Sequence, residues 1–429
     1  MSEALKVALL GAGTVGAQVA HVFLEQNEEF TTRIGRPLEL VGIAVRDLSK
    51  KRPGIDSSLL TDDTIGLVTR GDIDIVIEVI GGVEPPREYV LAALNAGASV
   101  VTANKALLAE YGAEIYAAAE ANGVDIYYEA AVAGAIPIVR PLRESLVGDE
   151  ILAVTGIVNG TTNFILEQMT TLGAAYSDVL AEAQALGYAE PDPTADVEGY
   201  DAAAKAAILA SLAFHSDVKL SDVSREGITA ITEEDIAAAT QMRRVIKLLA
   251  RCELAEDGSI SVGVHPTMLP IKHPLAGIHG AYNAIFVESK YAGRLMFMGP
   301  GAGGTPTASA VLGDVVTAAR NRVRGTFARG FLRGTQRAIT PADQERSRWY
   351  LSLIVKDEPG VLAEIAAVLA SSGVSLQSVR QDEADEEGLA RLRLVTHDAA
   401  AGDVNSVLSE LEALERVASQ IKTMRVGSN

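Results

Sequence analysis

A glycine-rich turn directly after the first apolar segment constrains the fold of this chain more than any other feature. Lys6–Leu10 is a short apolar run that enters the sequence G-A-G-T-V-G at 11–16, and apolar residues at helical spacing follow. A strand, a G-x-G-x-x-G turn and a helix are the components of a dinucleotide-binding unit. Gly11 permits the tight turn, Gly13 lets the backbone approach a pyrophosphate, and Gly16 allows the helix to pack closely on the strand. The sequence therefore predicts a Rossmann-type α/β domain with a parallel sheet, and a purely structural glycine turn is the alternative.

Later parts of the N-terminal region fit the same prediction. Thr14 and Val15 open the helix, and the N–H groups of a first helical turn attract phosphates. Two near-continuous apolar runs, Asp74–Ile80 and Ala98–Thr102, are typical of strands buried in a parallel sheet. Because ligands of open α/β sheets bind at the carboxyl ends of strands, Lys105, just after the second run, is predicted to meet cofactor or substrate. A surface lysine at the start of a helix is the alternative.

The choice of cofactor depends on the residues that follow the second strand, Leu38–Val45. An acidic residue at this point is typical of NAD sites, whereas an arginine suits the 2′-phosphate of NADP. Arg46 stands at this position and the basic residues 50–52 follow it, which favours NADP. Asp47 is compatible with NAD, and a solvated loop without any cofactor contact is the third interpretation.

Charge and cysteine content exclude several classes of protein. The chain is long enough for about three domains. Its 37 basic and 56 acidic side chains give a net charge of −19, which repels nucleic acid. The lone cysteine, Cys252, cannot form an internal disulfide, which fits a reducing compartment. Since no apolar run approaches a membrane helix and the N-terminus lacks a signal-peptide pattern, we expect a cytoplasmic protein without nucleic-acid or membrane partners.

The middle of the chain combines an acidic loop with a lysine at the edge of an apolar helix. The loop 187–201 is stiffened by two prolines, and its carboxylates are suited either to bind a ligand ammonium group or to face solvent. They are Glu190, Asp192, Asp196, Glu198 and Asp201. Asp201 and Lys205 stand at i and i+4, on one face of a helix whose remainder is almost wholly apolar. A lysine in such surroundings can have a shifted pKa and donate a proton, but a structural ion pair explains the spacing equally well.

Three further patterns are weaker evidence for a particular chemistry. Asn159 follows the predicted strand Ile151–Val158 and is expected to cap a helix. A second glycine cluster, Gly299–Gly304, precedes a predicted helix at Thr307–Arg320 and is either a second wall of the cofactor site or a tight connection. Cys252 lies in an apolar context without a catalytic signature, which disfavours a thiohemiacetal mechanism.

These motifs resemble the homoserine dehydrogenase family along nearly the whole chain. The strongest match is L-G-Y-A-E-P-D-P at 186–193, continuing through Asp196, Gly199, Asp201 and Lys205. Also similar to signatures of that family are N-G-T-T-N at 159–163, Y-E-A at 128–130, A-G-A-I-P at 133–137 and T-A-N-K at 102–105. This set is far more specific than the glycine turn alone.

The resemblance implies a reversible, NAD(P)H-dependent reduction of L-aspartate 4-semialdehyde to L-homoserine, on the route to threonine, methionine and isoleucine. By similarity, Lys205 is the general acid that protonates the carbonyl oxygen. Asp201 hydrogen-bonds the substrate and orients Lys205, and Glu190 pairs with the substrate ammonium group. Proton transfer is thereby assigned to a lysine and a carboxylate.

The resemblance also implies contacts to cofactor and cation. Lys105 would lie between nicotinamide and substrate, and the backbones of Gly187 and Gly303 would contact the cofactor. A monovalent cation, expected to be Na⁺, would be held by oxygen atoms, a donor type that suits such an ion. Its ligands would be the Glu129 carboxylate and the carbonyls of Val132, Gly134 and Ile136. Members of the family are dimeric through their middle region, so we expect a homodimer or homotetramer.

The C-terminal region predicts a second type of α/β unit. Strands are expected at Trp349–Val355, Val374–Val379, Leu389–Thr396 and Val417–Arg425, with helices after the first and third. The β-α-β-β-α-β order is the ferredoxin-like plan. Together with the D-x-P-G-V-L turn at 357–362, it resembles an ACT domain, a module that binds amino acids. The pathway position implies threonine as the effector, and a module that serves only assembly is the alternative.

The expected organisation has four parts. Residues 1–137 form the NAD(P)-binding domain, completed by about 300–322, and 138–299 form an α+β substrate-binding and dimerisation domain. A linker at 323–348 leads to the ACT domain at 349–429. Eight arginines lie between 320 and 348 against only two acids, and this basic stretch is expected to dock on neighbouring acidic surface.

Two other functions are compatible with parts of the sequence. A nucleotide- and amino-acid-sensing Rossmann protein without catalytic activity would have a damaged Asp201–Lys205 pair, which this chain keeps intact. An aldehyde-oxidising semialdehyde dehydrogenase would need a poised cysteine, and Cys252 does not have that setting.

Overall fold

The computed structural model describes residues 3–328 and 336–427, and its N-terminal part is a six-stranded parallel sheet. The strands are β1 (Leu5–Leu10), β2 (Leu38–Ala44), β3 (Leu60–Thr61), β4 (Ile75–Glu78), β5 (Ser99–Thr102) and β6 (Ile126–Tyr127). The helices are α1 (Thr14–Glu25), α2 (Asn27–Ile34), α3 (Thr64–Val68), α4 (Pro86–Asn95) and α5 (Lys105–Asn122). The strand order β3-β2-β1-β4-β5-β6 is that of dinucleotide-binding folds and confirms the Rossmann-type prediction.

The glycine turn between β1 and α1 has the geometry that its sequence predicts. A Cβ atom on Gly16 would lie 2.0 Å from the carbonyl oxygen of Gly11, so only glycine allows this approach of helix to strand. Gly11 itself has a φ of +99°, in the region that favours glycine. A Cβ atom on Gly13 would meet no protein atom within 4 Å, which leaves open space in front of the turn.

The middle domain is a mixed sheet covered by helices. Its strands are β7 (Ile151–Ile157), β8 (Ser224–Arg225), β9 (Arg244–Leu254), β10 (Ile260–Pro270), β11 (Tyr282–Ser289) and β12 (Gly293–Pro300). Its helices are α6 (Gly160–Leu172), α7 (Tyr176–Ala185), α8 (Thr194–Val197), α9 (Tyr200–Phe214) and α10 (Glu233–Gln241). The main strands run in the order β12-β11-β7-β9-β10, and α9 packs on β7, β9 and β10. Nearly every residue of α9 is buried, as its apolar composition requires.

The chain then returns to the N-terminal domain. Helix α11 (Gly304–Arg324) packs against α1, and its apolar face joins the core formed by α1 and β1. Val311, Leu312 and Val315 are the largest buried members of that face. The dinucleotide-binding fold is therefore built from two distant pieces of sequence.

The C-terminal domain has the predicted β-α-β-β-α-β order. It consists of β13 (Arg346–Lys356), α12 (Val361–Ser371), β14 (Leu376–Gln381), β15 (Leu389–Thr396), the short β16 (Ala399–Ala400), α13 (Ala401–Glu412) and β17 (Lys422–Val426). The strand order β17-β13-β15-β14 confirms the ferredoxin-like plan. Strand β17 also pairs in parallel with β10 through Thr267–Arg425 and Met268–Val426, so the sheet runs on into the middle domain. The sequence indicated no such continuity.

Five of the described arginines of this basic stretch lie in a helix or a strand. Arg320, Arg322 and Arg324 belong to α11, and Arg346 and Arg348 belong to β13. Two of the arginines make the predicted contacts with acidic groups: Arg322 with Asp74 at 3.2 Å, and Arg346 with Asp398 at 2.6 Å. Arg329 and Arg333 lie outside the described residues. Among the helices of residues 3–328 and 336–427, none has the length and apolar character to cross a membrane.

Candidate active site

A cleft of about 1010 Å³ lies where the carboxyl ends of β4 and β5 face the middle domain. Half of the predicted site residues line it: Val15, Lys105, Gly134, Gly187, Glu190, Asp201, Lys205 and Gly303. This edge of the sheet is where open α/β folds bind ligands. The tertiary structure thus brings together residues from the glycine turn, the acidic loop, α9 and the second glycine cluster.

Asp201 is the centre of a buried ion cluster in this cleft. Its Oδ2 atom accepts a hydrogen bond from the Lys205 Nζ at 2.8 Å, one turn along α9. Its Oδ1 atom lies 2.6 Å from the Nζ of Lys105, the first residue of α5. Burial raises the pKa of Asp201, but the charges of the two lysines outweigh it, and the pKa lies well below the usual range. One ionised carboxylate therefore holds both lysines in place.

Lys205 is arranged as a group that can exchange a proton. Besides Asp201, its Nζ donates to the carbonyl oxygen of Val158 at 2.7 Å. An ammonium group has three N–H donors, so one remains for a ligand in the cleft. Burial lowers the pKa of Lys205 below that of a free lysine, although the charge of Asp201 opposes this shift. Such a lowered pKa is the property that a lysine general acid and base requires.

Lys105 has the opposite electrostatic behaviour. Its side chain is 43% exposed. Burial lowers its pKa, but the attraction of Asp201 outweighs the burial, so the pKa of Lys105 is raised. Lys105 therefore keeps its charge, whereas Lys205 is the lysine of the pair that can release a proton.

The roles of Asn159 and Asp196 in this cluster were not predicted from the sequence. Asn159 was predicted only as a helix cap, and it does cap α6, since its Oδ1 accepts from the N–H of Thr162 at 2.9 Å. Its Nδ2 also donates to Asp201 at 2.9 Å and to Asp196 at 2.6 Å. Burial, reinforced by the charge of Asp201, raises the pKa of Asp196. Asn159 follows β7 and Asp201 lies in the first turn of α9, so only the packing of the two elements shows the contact.

The cofactor end of the cleft is built by the two glycine-rich segments. The N–H of Gly11 donates to the carbonyl oxygen of Ala44 at 2.9 Å, so the glycine turn lies beside the end of β2, and Arg46 is exposed just beyond it. Gly303, with a φ of +123°, precedes the first turn of α11. Neither α1 nor α11 has an acidic residue in its first turn. The pyrophosphate of a dinucleotide fits here, because the first helical turns offer N–H groups, these turns carry no acidic side chain, and the space at Gly13 is open.

Glu129 and the loop after it form a compact buried unit. The Glu129 carboxylate accepts hydrogen bonds from the backbone N–H groups of residues 138, 139 and 140, at 2.6, 2.7 and 2.9 Å. A Cβ atom on Gly134 would lie 2.6 Å from the carbonyl oxygen of Gly301, so this loop abuts the second glycine cluster. Within the described chain, no hydrogen bond reaches the carbonyls of the buried residues Val132, Gly134 and Ile136. These oxygens and one carboxylate are a donor set that fits a monovalent cation.

A further wall of the cleft, 279–282, was not predicted. His279 contacts Glu167 of α6 at 2.6 Å, and the N–H of Gly280 donates to the same carboxylate. Beneath them, buried Lys247 donates to Asn163 at 2.8 Å and to the carbonyl of Ile278 at 2.7 Å. Burial lowers the pKa of Lys247 to about 8. Lys247 lies on β9, a strand that the apolar pattern did not indicate, so the sequence carried no local signal for this wall.

Family models match three segments of the chain, in the order that the structure shows. The model described as the NAD-binding domain of homoserine dehydrogenase matches 11–129, the model described as homoserine dehydrogenase matches 137–316, and the ACT domain model matches 349–416. Homoserine dehydrogenase of Corynebacterium glutamicum is 56% identical over 96% of this chain and 93% of its own length. The chain belongs to the homoserine dehydrogenase family.

Other relatives agree over nearly the full length. Homoserine dehydrogenase of Mycobacterium tuberculosis is 51% identical, with 98% of each chain covered. The crystal structure of a homoserine dehydrogenase from Thiobacillus denitrificans superposes with a TM-score of 0.94 at 41% identity, covering 99% of this chain and 98% of that one. A hyperthermophilic archaeal homoserine dehydrogenase in complex with NADPH has a TM-score of 0.63 at 29% identity, over 74% of this chain and 98% of its own.

As a homoserine dehydrogenase, the chain is an oxidoreductase with a Rossmann-type nucleotide domain and an ACT domain. The predictions of family, fold class and enzyme class are confirmed. Cys252 lies fully buried on β9, and burial raises the pKa of its thiol. A thiolate nucleophile is therefore not available at this position, in agreement with the sequence-based argument against an aldehyde-oxidising enzyme.

Proposed function

We propose that this protein catalyses the reversible, NADPH-dependent reduction of L-aspartate 4-semialdehyde to L-homoserine, on the route to threonine, methionine and isoleucine. The observation that carries the proposal is the cluster of Asp201 with Lys205 and Lys105 inside the cleft. Bound nicotinamide supplies or accepts the hydride. The chain itself has to bind the amino acid, orient its carbonyl and move one proton.

In this proposal Lys205 donates the proton. The third N–H of Lys205, which neither Asp201 nor Val158 accepts, would donate its proton to the carbonyl oxygen of the substrate, and this oxygen becomes the hydroxyl of homoserine. Asp201 holds Lys205 in position and hydrogen-bonds the substrate. In the direction of oxidation the neutral Lys205 amine takes the hydroxyl proton back.

Other residues of the cleft bind the substrate and the cofactor. Glu190 is exposed to the cleft and would pair with the substrate ammonium group, while Lys105 would lie between nicotinamide and substrate. Arg46 would bind the 2′-phosphate of NADP, the cofactor that we prefer to NAD. The remaining proposed cofactor contacts are the backbones of Gly11, Gly13, Thr14, Val15, Gly16, Gly187 and Gly303.

We propose a monovalent cation site, Na⁺ being the expected ion, at Glu129 and the carbonyls of Val132, Gly134 and Ile136. The unpaired carbonyls in this buried loop support the assignment. Its role would be to hold the loop against Gly301, on the cofactor side of the cleft.

The remaining proposals concern organisation and control. We propose the domain division stated from the sequence, and the packing of α11 on α1 supports placing 300–322 with the first domain. We propose feedback inhibition by threonine through the ACT domain, and a homodimer or homotetramer assembled through the middle domain, where Met296 and Met298 on edge strand β12 are exposed. The single buried cysteine supports a cytoplasmic location.

A spectrophotometric assay tests the central proposal. Purified protein is given L-homoserine with NADP⁺ or with NAD⁺, and absorbance of the reduced cofactor is followed. We expect turnover with homoserine and faster turnover with NADP⁺. Reduction of neither cofactor would contradict the proposed reaction, and equal rates would contradict only the cofactor preference. A threonine titration of the same assay tests the regulatory part.

A further inference from the structure

Asn159 is bonded through every hydrogen-bonding position of its side-chain amide. The Oδ1 atom accepts from both the N–H and the hydroxyl of Thr162, at 2.9 and 3.0 Å. Because an N–H of Thr162 can only donate, the amide orientation is settled, and its two N–H groups point to Asp196 and Asp201. The residue is 6% exposed, so water contributes little to holding it.

The position of Asn159 in the chain connects it to Lys205 twice. Val158, the preceding residue, supplies the carbonyl oxygen that binds the Lys205 Nζ. Asn159 itself binds the same Oδ2 atom of Asp201 that Lys205 binds. The turn from β7 to α6 therefore holds both the ammonium group and its carboxylate partner. We therefore expect a change in the side chain at this turn to alter the direction of the third Lys205 N–H.

Helix capping does not require these contacts. Asn, Asp and Ser are about equally good N-cap residues, since each offers an oxygen to the first turn of the helix. Of the three, only Asn also offers an NH₂ group that can bridge two carboxylates. Asp196 and Asp201 would repel each other across a space with no donor between them, and the amide of Asn159 fills that space.

We infer that Asn159 is a positioning residue for the proton transfer. It fixes the rotamer of Asp201, so that Oδ2 faces Lys205 and Oδ1 faces Lys105, and it separates Asp201 from Asp196. This inference rests on the proposed function of Lys205 as the proton donor.

The test uses two substitutions that keep the cap and remove the bridge, Asn159→Ser and Asn159→Asp. We expect kcat for homoserine oxidation to fall by up to about 100-fold in both, because a small misplacement of a reacting group has a cost of that order. KM for the cofactor should stay within about twofold, since Asn159 has no contact with the glycine turn. Circular dichroism of each variant confirms that the fold is kept.

The pH profile separates positioning from a structural role. The charge of Asp201 raises the pKa of Lys205 against the effect of burial. Loosening Asp201 in Asn159→Ser should therefore move the midpoint of the kcat profile to lower pH. A third carboxylate in Asn159→Asp should move it to higher pH. A control variant, Asp63→Ala, removes the exposed N-cap of α3, which does not line the cleft, and should change neither kcat nor the profile.

Two outcomes would overturn the inference. They are wild-type kcat in Asn159→Ser, whether or not Asn159→Asp loses activity, and a loss in both variants without any shift of the midpoint. Lys205→Ala is measured alongside. If it retains wild-type kcat, the proposed proton donor is wrong. If it loses activity while Asn159→Ser does not, only the role of Asn159 is wrong.

Discussion

Two ion clusters of this molecule are each built around a buried charge, a carboxylate between two lysines in one and an arginine between two carboxylates in the other, and they differ in chemical character. In the cleft, Asp201 binds Lys105 and Lys205. At the seam between the middle and C-terminal domains, where β17 joins β10, Arg425 lies 3.1 Å from Glu345 and 3.9 Å from Glu226. Asp201, Lys205, Glu345 and Arg425 are each no more than 10% exposed in their side chains.

The difference between the clusters lies in the cation and in what faces it. A buried lysine shifts its pKa readily and can change protonation, whereas an arginine stays charged in nearly every environment. Lys205 opens onto the cleft, while Arg425 is enclosed by β10, β13 and the ring of Trp349, whose centre is 4.8 Å away. The first cluster is therefore suited to move a proton, and the second is suited to hold two domains together.

The largest effect should come from removing the proton donor. We expect Lys205→Ala to lower kcat by about 10²–10⁴-fold, the usual contribution of general acid catalysis, with little change in cofactor affinity. Steady-state kinetics and a cofactor-binding titration measure the two quantities. Lys290→Ala, at an exposed lysine paired with Glu150, serves as control and should stay within about twofold of wild type. Near-normal turnover in Lys205→Ala would leave Lys105 as the candidate donor.

Substitution of Arg425 in the second cluster should lower the stability of the protein and leave kcat unchanged. Arg425→Ala leaves Glu345 buried without its partner, and breaking a buried pair in this way costs about 3–5 kcal/mol. We expect the unfolding transition of the C-terminal domain to move to much lower denaturant, and kcat to be kept wherever the protein stays folded. Arg346→Ala breaks the exposed pair with Asp398 and should cost about 1 kcal/mol or less. Equal destabilisation by both substitutions would contradict the expected difference between the buried and the exposed ion pair.

A smaller effect is expected at the cofactor end. Arg46→Ala should raise KM for NADPH by roughly 10-fold or more, the value of one hydrogen bond to a charged group, and leave KM for NADH nearly unchanged. Initial rates with each cofactor at saturating substrate provide the comparison. The same change in both values would show that Arg46 does not contact the 2′-phosphate.

The pH dependence should separate the clusters without any substitution. Reduction needs the protonated Lys205 and oxidation needs the neutral amine. Because burial lowers the pKa of Lys205, reduction should slow, and homoserine oxidation should accelerate, as pH rises through a midpoint below the free-lysine value of about 10.4. Arg425 stays charged in that range. The contact between the C-terminal domain and the middle domain should therefore not depend on pH in the way that the reaction rates do. A pH-independent oxidation rate would contradict the assignment of Lys205.

Much of the fold could be predicted because its signals are local. The apolar runs gave β1, β2, β4 and β5 within two residues at either end, and the helix predicted at Thr307–Arg320 lies inside α11. Strands β9 and β12 were missed. In β12, partly buried and exposed residues alternate at an edge of the sheet. In β9, the charged residues Arg244, Lys247 and Arg251 interrupt the apolar residues, so neither strand has the continuous apolar run of a central strand.

The sequence by itself determined the glycine turn, the order of elements, the family and the residues that carry charge into the cleft. Only the tertiary structure decided that Lys105 and Lys205 share one carboxylate, that Asn159 bridges two, and that β17 continues the sheet of the middle domain. The physical reason is the range of the interactions involved. Periodicity and turn chemistry act between residues a few positions apart. The contacts of Lys105 with Asp201, of Asn159 with both carboxylates and of β17 with β10 join residues 37 to 158 positions apart, which only the packing of whole elements brings together.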